Sequence, residues 1–245
     1  MNDGALLFGR YAFPPNRLGY CGPDSAQELF EYVSSERADR GLVELERRFE
    51  GAYPYLCLIA RANGIADPFD RGVVEAYWIG NEYLQRVDAA SFHDSLDERF
   101  RPRIQGCDFA WLTSKLGLGA KPHHNFHVFE VYLRTGLMND THATIVVETM
   151  DACRISWGRV ISVDGAELVV ARRPLRLIAG KLALADEEIV RITRQIEGRG
   201  FADHASSGAN VSIHWNWVCE QLSSGRLQRL MSETQRYLQL ANETL

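Results

Sequence analysis

Asp164-Gly165 lies between two stretches of alternating, β-branched character, Cys153–Val163 and Glu167–Ala171. A period of two marks a strand with one buried face, and an Asp-Gly pair supplies the positive φ angles of a tight hairpin turn. These residues read as a β-hairpin. Ala179-Gly180 repeats the pattern between Pro174–Ile178 and Lys181–Leu184. Ile189–Ile196 adds an alternating stretch, Gly198–Gly208 reads as loop, and Val211–Val218 reads as one final strand. On that strand Trp215 and Trp217 fall on the face opposite His214. Five or so short strands suggest a small closed barrel of the oligonucleotide-binding (OB) type. An amphipathic helix over Ser223–Leu240 follows, with Leu227, Leu230, Met231, Tyr237 and Leu238 at helical spacing.

Before residue 150 the texture differs. Phe13–Pro23 is dense in Pro and Gly and reads as a rigid loop. Asp24 or Ser25 caps a helix that runs to about Ser34. Further helices are expected over Gly41–Glu50, after Pro54, over Val73–Val87 and over Ser91–Phe100, where Asp94 and Glu98 take the exposed face. Lys121–Met138 fits neither period cleanly, and helix is favoured, with Pro122 in its first turn. Asn139-Asp140 is a break, and Thr141–Met150 is helix or strand. The expected class is α+β, with a mainly helical domain over residues 1–150 and a barrel with its terminal helix over 151–245.

Composition narrows the function. The net charge is −5 and acids and bases are interspersed, so no basic stripe marks a nucleic-acid surface. The opening residues lack the pattern of a signal peptide, and no apolar run reaches the ~20 residues of a membrane span. A cytoplasmic protein is expected. The five cysteines (Cys21, Cys57, Cys107, Cys153, Cys219) are scattered without a CxxC pair, so neither a disulfide framework nor a four-cysteine metal site is indicated. Cys57 and Cys219 sit in apolar contexts and read as small buried hydrophobes.

Cys153, Gly158, Arg159 and Val160, followed by Asp164-Gly165, and later Gly208, Val211, Ile213 and His214, keep a recognisable register. On these residues the C-terminal third resembles the HypC family, small chaperones of [NiFe]-hydrogenase maturation. That family holds an iron atom carrying cyanide and carbon monoxide and passes it to the hydrogenase large subunit. The resemblance implies Cys153 and His214 as iron ligands, with a hydrogenase large subunit or another maturation protein as partner. In that family the Cys is N-terminal, whereas Cys153 follows 152 residues and has no free amine. Iron held here therefore needs another ligand, from the His123-His124-Asn125-Phe126-His127 segment or from a partner. The whole chain also resembles an uncharacterised bacterial, hydrogenase-associated family through its Arg10-Tyr11-Ala12-Phe13-Pro14-Pro15-Asn16 and His123–Phe129 stretches.

Three of the seven histidines stand in Pro122–Glu130. In a regular helix His123 and His127 are i and i+4 on one face, with Glu130 a turn further on. Two histidines and a carboxylate are a ligand set for iron or zinc, although the spacing is not that of the HExxH proteases. The bland reading is histidines packed on aromatics. Cys107 and Cys21 are the thiols that would complete such a site.

Three functions follow as expectations. An assembly chaperone carries iron on an exposed Cys153 a few ångströms from His214. A metal-free interaction module keeps only the barrel. An iron-dependent enzyme uses His123, His127 and Glu130 to make or deliver a small ligand such as carbon monoxide.

Overall fold

The computed structural model describes residues 3–104, 106–131 and 143–243. Helix α1 (Asp3–Arg17) runs through the middle of the helical part and is buried on nearly every side, Arg10 being a partial exception. Phe8 meets Phe49, Phe69 and Trp78 at ring distances of 5.5, 5.5 and 5.7 Å. Phe13 reaches the barrel side, 5.2 Å from Trp217. A helix enclosed all round shows no polar stripe, so periodicity did not signal α1, and Phe13–Asn16 belong to it rather than to a loop.

The expected helices follow: α2 (Ala26–Ser34), α3 (Arg40–Glu46), α4 (Tyr53–Ala62), α5 (Arg71–Trp78) and α6 (Ala89–Phe100). Asp39, Asp70 and Asp88 cap α3, α5 and α6 by accepting backbone N–H groups. The single helix expected over Val73–Val87 is interrupted. Gly80 takes φ +95°, which ends α5, and a 3-10 turn at Glu82–Arg86 follows. Helix α7 (Gly106–Gly117) precedes a short turn of helix, α8 (His124–Phe126). A π-type turn spans His127–Val131, and α9 (Ala143–Cys153) follows. The expected helical residues Tyr132 and Leu133, the Asn139-Asp140 break and Thr141 lie outside the described residues.

The chain is α+β as expected, with its strands in the C-terminal part. Strands β1 (Ser156–Asp164), β2 (Glu167–Arg172), β3 (Leu175–Ile178), β4 (Lys181–Leu184) and β5 (Glu188–Thr193) come first. The pairs β6 (Gln195–Ile196) and β7 (Arg199–Gly200), then β8 (Asn210–His214) and β9 (Trp217–Gln221), complete the set. The order β1-β2-β5-β9-β8 returns to β1, and the β5–β9 step is one parallel pair, Thr193 with Trp217. Both expected hairpins are present, β1–β2 and β3–β4. Val160, Leu168, Val170, Ile192, Val211, Ile213 and Val218 fill the barrel interior. Helix α10 (Ser224–Asn242) leaves the barrel and adds Leu230, Tyr237 and Leu238 to the large core that also holds α1.

Two local expectations are corrected. Val211–Val218 is a hairpin, not one strand, because Trp215 and Asn216 both take positive φ, 47° and 59°. His214 therefore pairs directly with Trp217 across the ladder. Cys153 is the last residue of α9 rather than the first of a strand. Among the described residues no helix is long and apolar enough to cross a membrane.

Candidate metal centre

Three elements meet where the barrel joins the helices. The turn after β8 is tied to the end of α9 by Trp215 N–H donating to the Ala152 carbonyl at 2.8 Å. That bond sets His214 beside Cys153. From α8, His124 donates Nε2–H to the Cys153 carbonyl at 2.8 Å. One ring nitrogen of each histidine and Cys153 Sγ all lie within 4.8 Å of one another. Donors on a tetrahedral ion stand roughly 3.5 Å apart for bonds of about 2.0–2.3 Å, so a contraction of about an ångström closes the set.

His214 is oriented by a defect in α1. Pro15 has no N–H, so it cannot bond the carbonyl four residues back, which is that of Tyr11. His214 takes that carbonyl, donating from Nδ1 at 2.7 Å. Its Nε2 is then the lone-pair nitrogen, and it is buried without a hydrogen-bond partner. In His124 the commitment of Nε2 leaves Nδ1 as acceptor, with the Tyr77 hydroxyl 3.3 Å away. Metal-binding histidines are commonly fixed in this way, the second nitrogen held by a backbone carbonyl.

Burial keeps both rings neutral. His214 is pushed down to about 4, mainly by desolvation. His124 is driven well below the usual histidine range, by desolvation first and then by His214. At neutral pH both offer a lone pair, as metal ligation requires. Trp78 packs 4.7 Å from the His124 ring and 5.8 Å from that of His214.

A small cavity of about 70 Å³ opens beside the triad, with Phe49, Tyr77, Trp78, Cys21 and His127 among its walls. At about 15 Å³ for each water-sized occupant, it has room for an ion and a few small ligands. Tyr20 and Trp215 also line it, their rings stacked at 4.3 Å. Tyr20 is 63% exposed, so this pair forms the outer wall. Cys153 itself is buried, contrary to the exposed thiol expected of a chaperone.

The other expected ligands are not among the converging donors, although His127 lines the same cavity. His123 is the extended residue capping α8, with φ −102° and ψ 153°, so it does not share a helical face with His127. Its Nδ1 accepts from Asn125 N–H and its ring stacks on Tyr237. Burial lowers it to about 3. His127 lines the cavity and is lowered to about 4, by burial first and then by the Arg99 charge. Glu130 faces Lys115, 3.8 Å away, and both are fully buried. Cys107 is exposed at the start of α7. The converging donor atoms among the described residues are therefore those of Cys153, His214 and His124. His124 belongs to the expected segment, but spacing pointed to its neighbours because regular helix was assumed.

The donor set fits a transition metal. One thiolate with two neutral imidazoles suits iron, zinc or copper better than a hard cation such as magnesium. No curated protein and no solved structure matches the chain. Residues 1–245 match a sequence family described as a family of unknown function (DUF6390), and the chain belongs to that family.

Proposed function

We propose that this protein is a metal-carrying accessory factor of [NiFe]-hydrogenase maturation, a chaperone that holds an iron unit through Cys153, His214 and His124. The observation that carries the metal site is the convergence of these three donors, with His214 Nε2 buried and unpartnered. The choice of iron, with cyanide and carbon monoxide as its ligands, rests on the HypC resemblance. His124 fills the place of the ligand that an internal cysteine cannot supply through a free amine.

In this reading the partner is a hydrogenase large subunit or another maturation protein, and the compartment is the cytoplasm, where thiols stay reduced. All five cysteines are free, in keeping with that setting. The occluded triad has a consequence for delivery. The Tyr20–Trp215 pair must part before an iron unit passes to a partner.

The test is anaerobic isolation from a hydrogenase-producing host, with metal analysis and infrared spectroscopy. The proposal expects iron together with cyanide and carbon monoxide stretches, both absent from Cys153→Ser. Iron without those stretches would contradict the cargo. A protein that neither carries nor takes up metal would contradict the site and favour the metal-free interaction module.

A further inference from the structure

We propose that Cys21 is a fourth, exchangeable ligand, which swings in to complete a Cys2His2 set around a thiophilic ion and swings out to release it. The inference rests on the metal-site reading above and adds a residue and a movement to it.

The three inner donors leave one tetrahedral position open, and the small cavity lies beside them. Cys21 lines that cavity together with all three. It is not one of the atoms that converge within 4.8 Å, so closure requires its thiol to move inward. His214 Nε2, 1% exposed as a residue, lines the same cavity without a hydrogen-bond partner. Four-coordinate Cys2His2 is an established structural donor set for zinc, and iron and cobalt accept similar donors.

The loop that carries Cys21 is built to present it. Asn16, in the last turn of α1, donates from Nδ2 to the carbonyls of Cys21 and Pro23, at 2.8 and 2.6 Å. Gly22 sits so close to Phe49 that a Cβ there would stand 2.3 Å from the ring. Only glycine allows that approach with φ at +82°. Gly19, at φ +75°, gives the loop a second left-handed joint before Tyr20. Tyr20 therefore ties the position of Cys21 to the outer wall, since its ring stacks on Trp215. In the proposed movement the stack parts as Cys21 shifts, because the two residues are neighbours in one short loop.

The test is anaerobic cobalt(II) titration of the full-length protein, read by absorption. Wild type should bind one equivalent, with tetrahedral ligand-field bands and a near-ultraviolet sulfur-to-cobalt band. Cys21→Ser should still bind one equivalent, with that sulfur band reduced to about half as one of two thiolates is lost. A Cys21→Ser spectrum that superimposes on wild type would overturn the role of Cys21 and leave the triad standing. A wild type that binds no cobalt would overturn the proposal and the metal-site reading together. A second measurement needs no variant. Iodoacetamide labelling, mapped by mass spectrometry, should modify Cys21 in the metal-free protein and be suppressed by one equivalent of cobalt. Equal labelling rates with and without metal would overturn the proposal.

Discussion

His214 donates its Nδ1 proton to the main-chain carbonyl of Tyr11 over 2.7 Å, across 203 positions of sequence. The carbonyl is available because Pro15 lacks the N–H that would claim it inside α1. Pro15 thus fixes a tautomer in the barrel.

Replacing Pro15 by Ala restores a competing helical donor. His214 should lose its fixed tautomer, read as altered nitrogen shifts in long-range proton–nitrogen spectra of the metal-free protein. Metal affinity should fall about 10–100-fold, the usual cost of removing an outer partner of a ligating histidine. Pro14→Ala restores a donor to a different carbonyl, that of Arg10, and should leave the His214 shifts in place. Unchanged shifts in Pro15→Ala would contradict this account of the orientation.

Glu130 and Lys115 form a fully buried pair at 3.8 Å, with Lys115 also donating to the Leu240 carbonyl at 2.7 Å. Glu130→Gln removes the carboxylate from a buried ammonium. Loss of one partner of such a pair costs about 3–5 kcal/mol. Chemical denaturation should show a lower midpoint, while the folded variant keeps its metal stoichiometry. Loss of metal at unchanged stability would instead make Glu130 a ligand.

Acid should unfold the metal-free protein early. His123, His127 and His214 are lowered to about 3, 4 and 4, chiefly by burial, whereas an unfolded histidine titrates near the usual value of about 6.5. Between those values the unfolded chain binds protons that the folded chain refuses. The stability tied to neutral rings is thus full above about pH 6.5 and falls as pH drops towards 4. Each ring contributes a slope of up to about 1.4 kcal/mol per pH unit. Denaturation midpoints measured between pH 7 and 5 should fall steeply, and a flat profile would contradict the burial of neutral rings.

Glu46 carries the opposite sign. Desolvation raises its carboxyl well above the usual range, outweighing the opposing effect of the Gly9 backbone N–H. Its folded form favours the proton, so the associated stability is present at low pH and lost as pH rises through the unfolded value and beyond. Glu46→Gln should raise the melting temperature at pH 8 and change it little at pH 4. Destabilisation at both pH values would show that the carboxylate is held charged.

Local signals carried much of the fold. Asp164-Gly165 and Ala179-Gly180 gave their hairpins because the turn chemistry is written in adjacent residues. Helix α1 stayed hidden because enclosure removes the polar stripe on which periodicity depends. Trp215-Asn216 does not look like a tight turn, since a bulky residue rarely takes positive φ. Its left-handed backbone is held by surroundings distant in sequence, the Tyr20 ring and the Ala152 carbonyl. At the site, Cys153 and His214 were expected from a resemblance to a known family, not from their own spacing. His124 could not be chosen over His123 or His127 by spacing, because the chain changes from extended to helical to π-type within those few residues.

That neighbouring pair gives the most direct test of the metal centre. The measurement is metal stoichiometry by anaerobic titration of His124→Ala and His123→Ala beside wild type, each checked for folding by circular dichroism. The account predicts one tightly bound equivalent in wild type and in His123→Ala, and its loss in His124→Ala. Full binding by a folded His124→Ala, or no binding by wild type, would contradict it.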